Sequence, residues 1–444
     1  MISELRLGDF KAFHQERIEL RPLTILVGEN NSGKSSVIAA IRLLAQTVQS
    51  PDATVPLLFD GIFGDFGSFR DVVHGNHRGR PMALGLTVPR QMNVGPNSRI
   101  AGSVQLLTEF KYRTQRRETV LKSTRLTSET RSRLYVAGSS DANRPVVSQI
   151  GNAHVPAAVR QQLNRHFRMY NFLPLMRPIF LDEESRSEDV QASLQRLKEN
   201  EREIRRCTNS ILDALRRVDV IGAMRQPPNR TYLHSGVVSD RIGVAGENWG
   251  GLVALAESGR AKDPLLQGAK DWLRSAGIAD ELSVSWLSDR HFEITVKHPI
   301  TGEVENISDV GRGTSQVLPV IIGGLRLSSG DTYLVEEPEI HLHPRAQAAL
   351  GDYFAELTNV GVQSVVETHS EYLILRLQQH IASGLLDPAN VIFYYVGAGR
   401  EGKTLTPFSL DSSAAFSDVA PGGFFPQRVA EATKLARARA SRSN

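Results

Sequence analysis

One stretch, Gly28-Glu29-Asn30-Asn31-Ser32-Gly33-Lys34-Ser35-Ser36, constrains this chain more than any other. It satisfies G-x-x-x-x-G-K-[ST] in full. It follows the strand-like run Leu23-Thr24-Ile25-Leu26-Val27 and precedes an apolar stretch from Val37 to Leu44 that reads as a buried helix. Motif and strand–loop–helix context agree, which marks a P-loop rather than a glycine turn before an ordinary helix. Gly28 and Gly33 let the backbone curl so that successive N–H groups point inward at phosphate oxygens. The helix beginning near Lys34 adds the positive end of its dipole. Lys34 is expected to reach the β- and γ-phosphates and the Ser35 hydroxyl to ligate Mg²⁺, with Asn30, Asn31, Ser32 and Ser36 completing the cradle. The expected ligand is a nucleoside triphosphate.

At 444 residues the chain is long enough for two or three domain-sized units. No apolar run approaches the ~20 residues of a membrane span, so no membrane partner is expected. The opening Met1-Ile2-Ser3-Glu4-Leu5-Arg6 leads directly into a strand and lacks a signal-peptide layout. Cys207 is the single cysteine, which rules out an intramolecular disulfide and a multi-cysteine metal site and fits a reducing cytoplasm. Lys and Arg exceed Asp and Glu by only 52 to 48, so the chain is no dedicated nucleic-acid coat. Basic residues do gather at Lys111, Arg113, Arg116 and Arg117, and again at Arg428, Lys434, Arg437, Arg439 and Arg442. Either cluster reads first as solvated surface and second as a phosphate-contacting patch.

Short strand-like pieces open the chain, at Ile2–Leu7, Glu16–Leu20 and Leu23–Val27, with a turn at Asp9–Phe13. Gly61–Gly75 reads as a tight glycine-rich, aromatic loop. Residues 82–137 carry β-patterned runs whose spacers are too short for crossover helices, so an antiparallel sheet is expected. Residues 138–152 read as an exposed polar loop. From Glu183 to about Val220 the pattern turns helical, with Val190, Leu197, Ile204, Ile211 and Val218 seven apart. This long amphipathic helix is expected to pack on its own domain, with a dimer contact as the alternative, because the intervening positions are only half apolar and the heptad is imperfect.

A second set of motifs follows. Thr332–Glu337 is a strand ending in two acids, the Walker B logic by which a strand delivers a carboxylate to Mg²⁺ and the next residue holds another against the attacking water. Glu336 is assigned to the metal and Glu337 to the base or water-orienting role. Glu339, His341 and His343 lie just downstream, in a loop read as crossing between subunits rather than as a zinc site. Ser364–Glu367 runs into Thr368-His369-Ser370, where His369 is placed to contact the γ-phosphate. Upstream, Gly311-Arg312-Gly313-Thr314-Ser315-Gln316 opens an apolar helix, making another phosphate-binding helix end. One chain needs only one P-loop, so Gly313, Ser315 and Gln316 are read as closing over the γ-phosphate of a neighbouring copy.

With these pieces in this order, the chain resembles ABC-type head ATPases of the RecF/SMC kind and, within them, the bacterial "overcoming lysogenization defect" (OLD)-like ATPases. The resemblance rests on Leu7–Phe13 with Val27–Ser36, on Asp309–Gln316 as the signature motif, and on Leu334–Glu337 as Walker B. Leu342–Pro344 corresponds to the D-loop region and Thr368–Ser370 to the switch histidine. Gly222-Ala223-Met224-Arg225 and Pro421-Gly422-Gly423-Phe424-Phe425 are weaker echoes, and residues 80–300 match only loosely. The resemblance implies an α/β fold: a bilobed P-loop ATPase head with an antiparallel β subdomain and a helical insertion. It divides the chain into 1–180 with the P-loop, 181–235 as the insertion, and 236–444 with the signature, Walker B and histidine motifs.

It also implies ATP and Mg²⁺ as cofactors, ATP hydrolysis, and a homodimer or higher even oligomer through the heads. Lys11 would lie near the nucleotide. No Q-loop glutamine is placed, since Gln46 and Gln49 fall too early. Asp387, Asp411 and Asp418 are too widely spaced for the Toprim nuclease that relatives often carry, so a separate protein effector, such as a nuclease, or DNA is the expected partner. The expected role is an ATP-gated switch in DNA maintenance or anti-phage defence. A transporter's nucleotide-binding subunit and an ATP-dependent assembly scaffold are the rival readings.

Overall fold

The computed structural model describes residues 1–95, 98–128, 133–138, 145–150, 153–156, 160, 166–176, 188–234, 236, 239–258, 263–399, 402–416 and 433–435. Pro421–Phe425 and the tail arginines Arg428, Arg437, Arg439 and Arg442 lie outside them.

The elements that position the site are, in chain order, β1 (Glu4–Phe10), β2 (Phe13–Glu19), β3 (Leu23–Gly28), α1 (Lys34–Val48), β4 (Met82–Gly95), β5 (Ser98–Arg113), β6 (Glu118–Ser128), β7 (Arg133–Gly138) and β8 (Pro145–Ile150). The chain continues with β9 (Ala153–His154), α2 (Glu188–Arg216), β10 (Val218–Ile221), α3 (Arg312–Leu325), β11 (Thr332–Glu336), α4 (Pro344–Asn359), β12 (Gln363–Glu367), α5 (Glu371–Ala382), β13 (Val391–Gly399) and β14 (Gly402–Phe408). They build two large sheets. One is antiparallel and eight-stranded, ordered β9-β8-β7-β6-β5-β4-β1-β2, and the other six-stranded, ordered β10-β11-β12-β3-β13-β14. In the second sheet β10, β11, β12, β3 and β13 are mutually parallel, and β14 folds back antiparallel at the edge.

Burial on both faces explains why the strands of this second sheet read as unbroken apolar runs. Alternate residues enter two different cores. Leu23, Ile25 and Val27 face the core made with α3 and α4, whereas Leu26, Val220, Leu334 and Val365 face the core made with α1, α2 and the antiparallel sheet. The chain thus adopts the α/β P-loop fold expected of it, with its antiparallel β subdomain and a helical insertion. Strand β3, from the first thirty residues, lies between β12 and β13 from the last hundred, so both ends of the chain build one sheet. None of the described helices is long and apolar enough to cross a membrane.

Two sequence expectations are corrected. The helix expected to run to about Val220 stops at Arg216, and Val218-Asp219-Val220-Ile221 is strand β10, paired in parallel with Thr332–Val335. Val218 keeps the seven-residue phase by coincidence, but a β-branched run beside an open sheet edge gains a ladder there. Residues 183–187 lie outside the described ones. The region 138–152 is not one loop either: Pro145–Ile150 pairs antiparallel with β7 and buries Val147 completely. The apolar stripe of α2, including Leu194, Leu197, Ile204 and Ile211, is buried in the chain's own core, as its half-apolar pattern led one to expect.

Gln363 joins the first residues to the central sheet. Its buried side chain accepts from Ile2 N at 2.8 Å and Thr332 Oγ1 at 3.1 Å, and donates to Ile2 O at 2.7 Å. Gln363→Leu leaves both backbone groups of Ile2 buried without partners, so the unfolding free energy read from urea titration should fall by about 2–4 kcal/mol.

Candidate functional site

The carboxyl ends of β11, β12 and β3 lie side by side, the edge where open parallel sheets collect ligands. From β3 the chain turns through Gly28 at φ +145° and Gly33 at φ +109°, with Asn31 at φ +60° between them. Neither glycine leaves room for a side chain. A Cβ on Gly28 would lie 2.4 Å from Val396 O, and one on Gly33 would lie 2.8 Å from the Ala12 Cβ. The loop is therefore clamped between β13 and the turn after β1. Helix α1 then starts at Lys34 with no side chain capping its first turn, which leaves its N-terminal N–H groups to an anion.

Lys34 is buried, 3% exposed, and its Nζ donates to Gly28 O at 3.0 Å and Glu29 O at 2.9 Å. Burial holds its pKa below the usual lysine value, against the pull of Glu367, Glu337 and Glu339. Ser35 Oγ donates to Glu367 Oε1 at 3.1 Å, and Lys34 Nζ lies 3.8 Å from the same oxygen. Ser32 Oγ, Glu367 Oε2 and Glu339 Oε2 are buried here with no protein partner. A cradle of N–H groups, a buried ammonium and orphaned oxygens is what a phosphate with its cation would complete.

The acids come from neighbouring strand ends. Glu336 and Glu367 are paired in the ladder, and Glu367 is paired in turn with Leu26 of β3. Glu336 is held by Arg42 of α1 at 2.8 Å. Arg42 also donates to Phe63 O and stacks over Phe66, which joins the glycine-rich 61–75 loop to the Walker strand. Glu337 takes the left-handed conformation, φ +45°, costly for a non-glycine residue unless its surroundings enforce it. They do: Glu337 N donates to Glu367 O at 2.8 Å, and the Arg225 guanidinium donates to the Glu336 and Glu337 carbonyls at 2.7 and 2.9 Å. Glu339 is buried, accepts from His369 N, and has its pKa raised by that burial. The His369 ring is exposed, and partial desolvation followed by Lys34 lowers its pKa.

The structure therefore brings Gly28, Ser32, Gly33, Lys34, Ser35, Glu336, Glu337 and His369 to one edge. Lys11 stands on the adjacent turn, its Nζ 5.9 Å from the Phe66 ring. Asn30 and Asn31 are exposed at the loop crest, and Ser36 is buried in the first turn. The signature residues reach the Walker strand end through Arg225, which also donates to Gln316 O at 3.3 Å. Gly313 abuts His341 O, where a Cβ would come to 2.5 Å, and Gln316 Nε2 donates to Arg225 O at 3.4 Å. Ser315 turns its buried hydroxyl inward onto Arg312 O, so what this helix start offers outward is its uncapped N–H set. His343 is the N-cap of α4, accepting from Arg345 N, and His341 is exposed.

Sequence reading missed Glu367, Arg42 and the role of Arg225. For Glu367 a signal existed: β12 ends Val-Val-Glu, much as β11 ends Leu-Val-Glu. Gln46 and Gln49 are both committed elsewhere, to Leu58 O and Leu215 O.

A family model described as "AAA domain, putative AbiEii toxin, Type IV TA system" matches residues 23–376. No curated protein matches the chain. Three solved structures overlap it at low similarity. An Smc head domain with an extended coiled coil, bound to the C-terminal domain of ScpA derived from Pyrococcus furiosus, is 12% identical; 92% of this chain and 96% of that one are covered, with a TM-score of 0.43. An SmcHead bound to the C-winged helix domain of ScpA is 11% identical, with 93% and 98% covered and a TM-score of 0.41. The SMC head domain from Thermotoga maritima is 12% identical, with 91% and 98% covered and a TM-score of 0.36.

Burial pushes the Glu367 carboxyl up to about 7, helped by Glu336 and Glu337 and opposed by Ser35 and Lys34. The native state thus binds this proton more tightly than the unfolded chain does, so the associated stability is present at acid pH and lost as pH rises from about 4.5 through about 7. Glu367→Gln removes that loss. Its unfolding free energy relative to wild type, measured by urea titration at a series of pH values, should rise across this window by of order 3 kcal/mol.

Proposed function

This chain belongs to the AAA-domain family described as putative AbiEii toxin, Type IV TA system, and on that premise we propose that it is an ATP-hydrolysing switch built from two heads. The observation that carries the reading is the alignment of P-loop and Walker acids at one sheet edge, with Ser35 hydrogen-bonded to Glu367 beside the Glu336–Arg42 pair. The buried ammonium, the uncapped α1 start and the orphaned Ser32 hydroxyl fit a triphosphate.

Lys34 and Ser35, with Gly28 to Gly33 and Ser36, hold the phosphates, and Glu336 serves the metal. Bound there, Mg²⁺ neutralises phosphate charge and polarises the transferred group. Glu337 orients the attacking water and accepts its proton, from a backbone position that Arg225 fixes. His369, exposed with a lowered pKa, is neutral near pH 7 and donates to the phosphate through one ring nitrogen.

Among the described residues, the side-chain hydrogen bonds of Ser315 and Gln316 run to 312 and 225–226, and Gly313 abuts 341–342, with none of these partners in the P-loop. This supports completion of each pocket by the signature helix of a second copy. Hydrolysis then separates the heads, and the change passes to a separate protein effector or to DNA. The resemblance to OLD-like ATPases and the family's toxin description both favour a part in anti-phage defence.

Lys34→Ala should abolish binding of a fluorescent ATP analogue. Glu337→Gln should keep that binding, lower phosphate release at least 100-fold, and accumulate as an ATP-dependent dimer in light scattering. Wild-type turnover by Glu337→Gln would remove Glu337 from its role.

A further inference from the structure

The strand between the P-loop strand and the Walker strand ends in an acid that the phosphate and water chemistry above leaves without a task. Glu367 is 5% exposed. One of its oxygens takes the Ser35 hydroxyl, the residue assigned to the cation, while the other is buried with no partner. Of the neighbouring acids, Glu336 is matched by Arg42 at 2.8 Å. Glu339 also keeps a buried oxygen without a partner, but its other oxygen accepts the His369 backbone N–H, whereas that of Glu367 takes the cation-side Ser35 hydroxyl. Glu367 has only Lys34 at 3.8 Å, beyond hydrogen-bond distance, and that ammonium is already bonded to two carbonyls. A buried carboxylate oxygen without a donor carries an unrelieved desolvation cost. An incoming cation removes that cost.

We propose that Glu367 is a second acid of the cation site, a positioning residue that holds the divalent metal through its hydration shell alongside Ser35 and Glu336. The proposal rests on the nucleotide reading above. Among the described residues no three His, Cys, Asp or Glu side chains are arranged to cage a metal on their own. The chemistry is therefore that of Mg²⁺ bound by few protein oxygens, retained waters and substrate phosphates. The glutamine carboxamide is nearly isosteric and keeps an oxygen for the Ser35 hydroxyl, but it carries no charge toward a cation.

The test is Mn²⁺ affinity, followed by electron paramagnetic resonance on wild type, Glu367→Gln and Glu367→Asp saturated with ATP, beside fluorescent-ATP binding in EDTA. The expected result is Mn²⁺ affinity weaker by 10–100-fold in Glu367→Gln and partly restored in Glu367→Asp, while metal-free nucleotide affinity stays within about threefold of wild type. Unchanged Mn²⁺ affinity in Glu367→Gln overturns the proposal and leaves Glu367 a support for Ser35. A loss of metal-free nucleotide binding equal to the loss of Mn²⁺ affinity overturns it too, since the cradle itself has then collapsed. Failure of the wild type to bind ATP under either condition overturns the nucleotide reading instead, and that outcome is separate from the other two.

Discussion

The hydrogen bond from Ser35 to Glu367 joins the P-loop helix to the central sheet at an edge where buried charge gathers. Glu336, Glu337, Glu339 and Glu367 crowd one sheet edge, and Lys34, Arg42 and Arg225 stand against them. Carboxylates this close repel one another and lose hydration when buried, so they persist only where cations or donors answer them. Here the answer is incomplete. Glu367 and Glu339 each keep a buried oxygen without a partner, and their pKa values rise accordingly. A site left short of positive charge and donors is one that a metal–phosphate ligand completes.

The rest of the fold holds that edge still. Two cores press the parallel strands from opposite faces, so β3, β11 and β12 have little freedom to slide. The P-loop is pinned from outside by the turn after β1, where Ala12 and Phe13 lie against Gly33, and by Val396 against Gly28. The long helix α2 closes the antiparallel sheet over α1 and leads directly into β10, the outer neighbour of the Walker strand. Arg225, four residues beyond β10, then reaches the Glu336 and Glu337 carbonyls. Packing in the insertion is in this way coupled to the backbone of Glu337.

Much of this was legible in the sequence because the motifs are local. The P-loop and the acid-ended Walker strand each declare themselves within ten residues, and burial on both faces makes their strands continuous apolar runs. What escaped was set by distance along the chain. Arg42 reads as one basic residue in an apolar helix until Glu336, almost three hundred residues later, is seen beside it. Glu367 is masked in the sequence by His369, two residues on, whose polar chemistry at a strand end draws the functional assignment. The strand at Pro145–Ile150 and the end of α2 at Arg216 were misread because sheet pairing overrode local polarity and helical phase.

The central claim is that one chain supplies the phosphate cradle and a second chain covers it. Hydrogen–deuterium exchange with and without Mg·ATP, repeated across a wide range of protein concentration, tests it most directly. The account predicts slowed exchange at residues 28–36 at every concentration, joined at 311–316 only as concentration rises and heads pair. Protection of both segments independent of concentration would place the whole pocket within one chain, and absence of protection at 28–36 would contradict the account entirely.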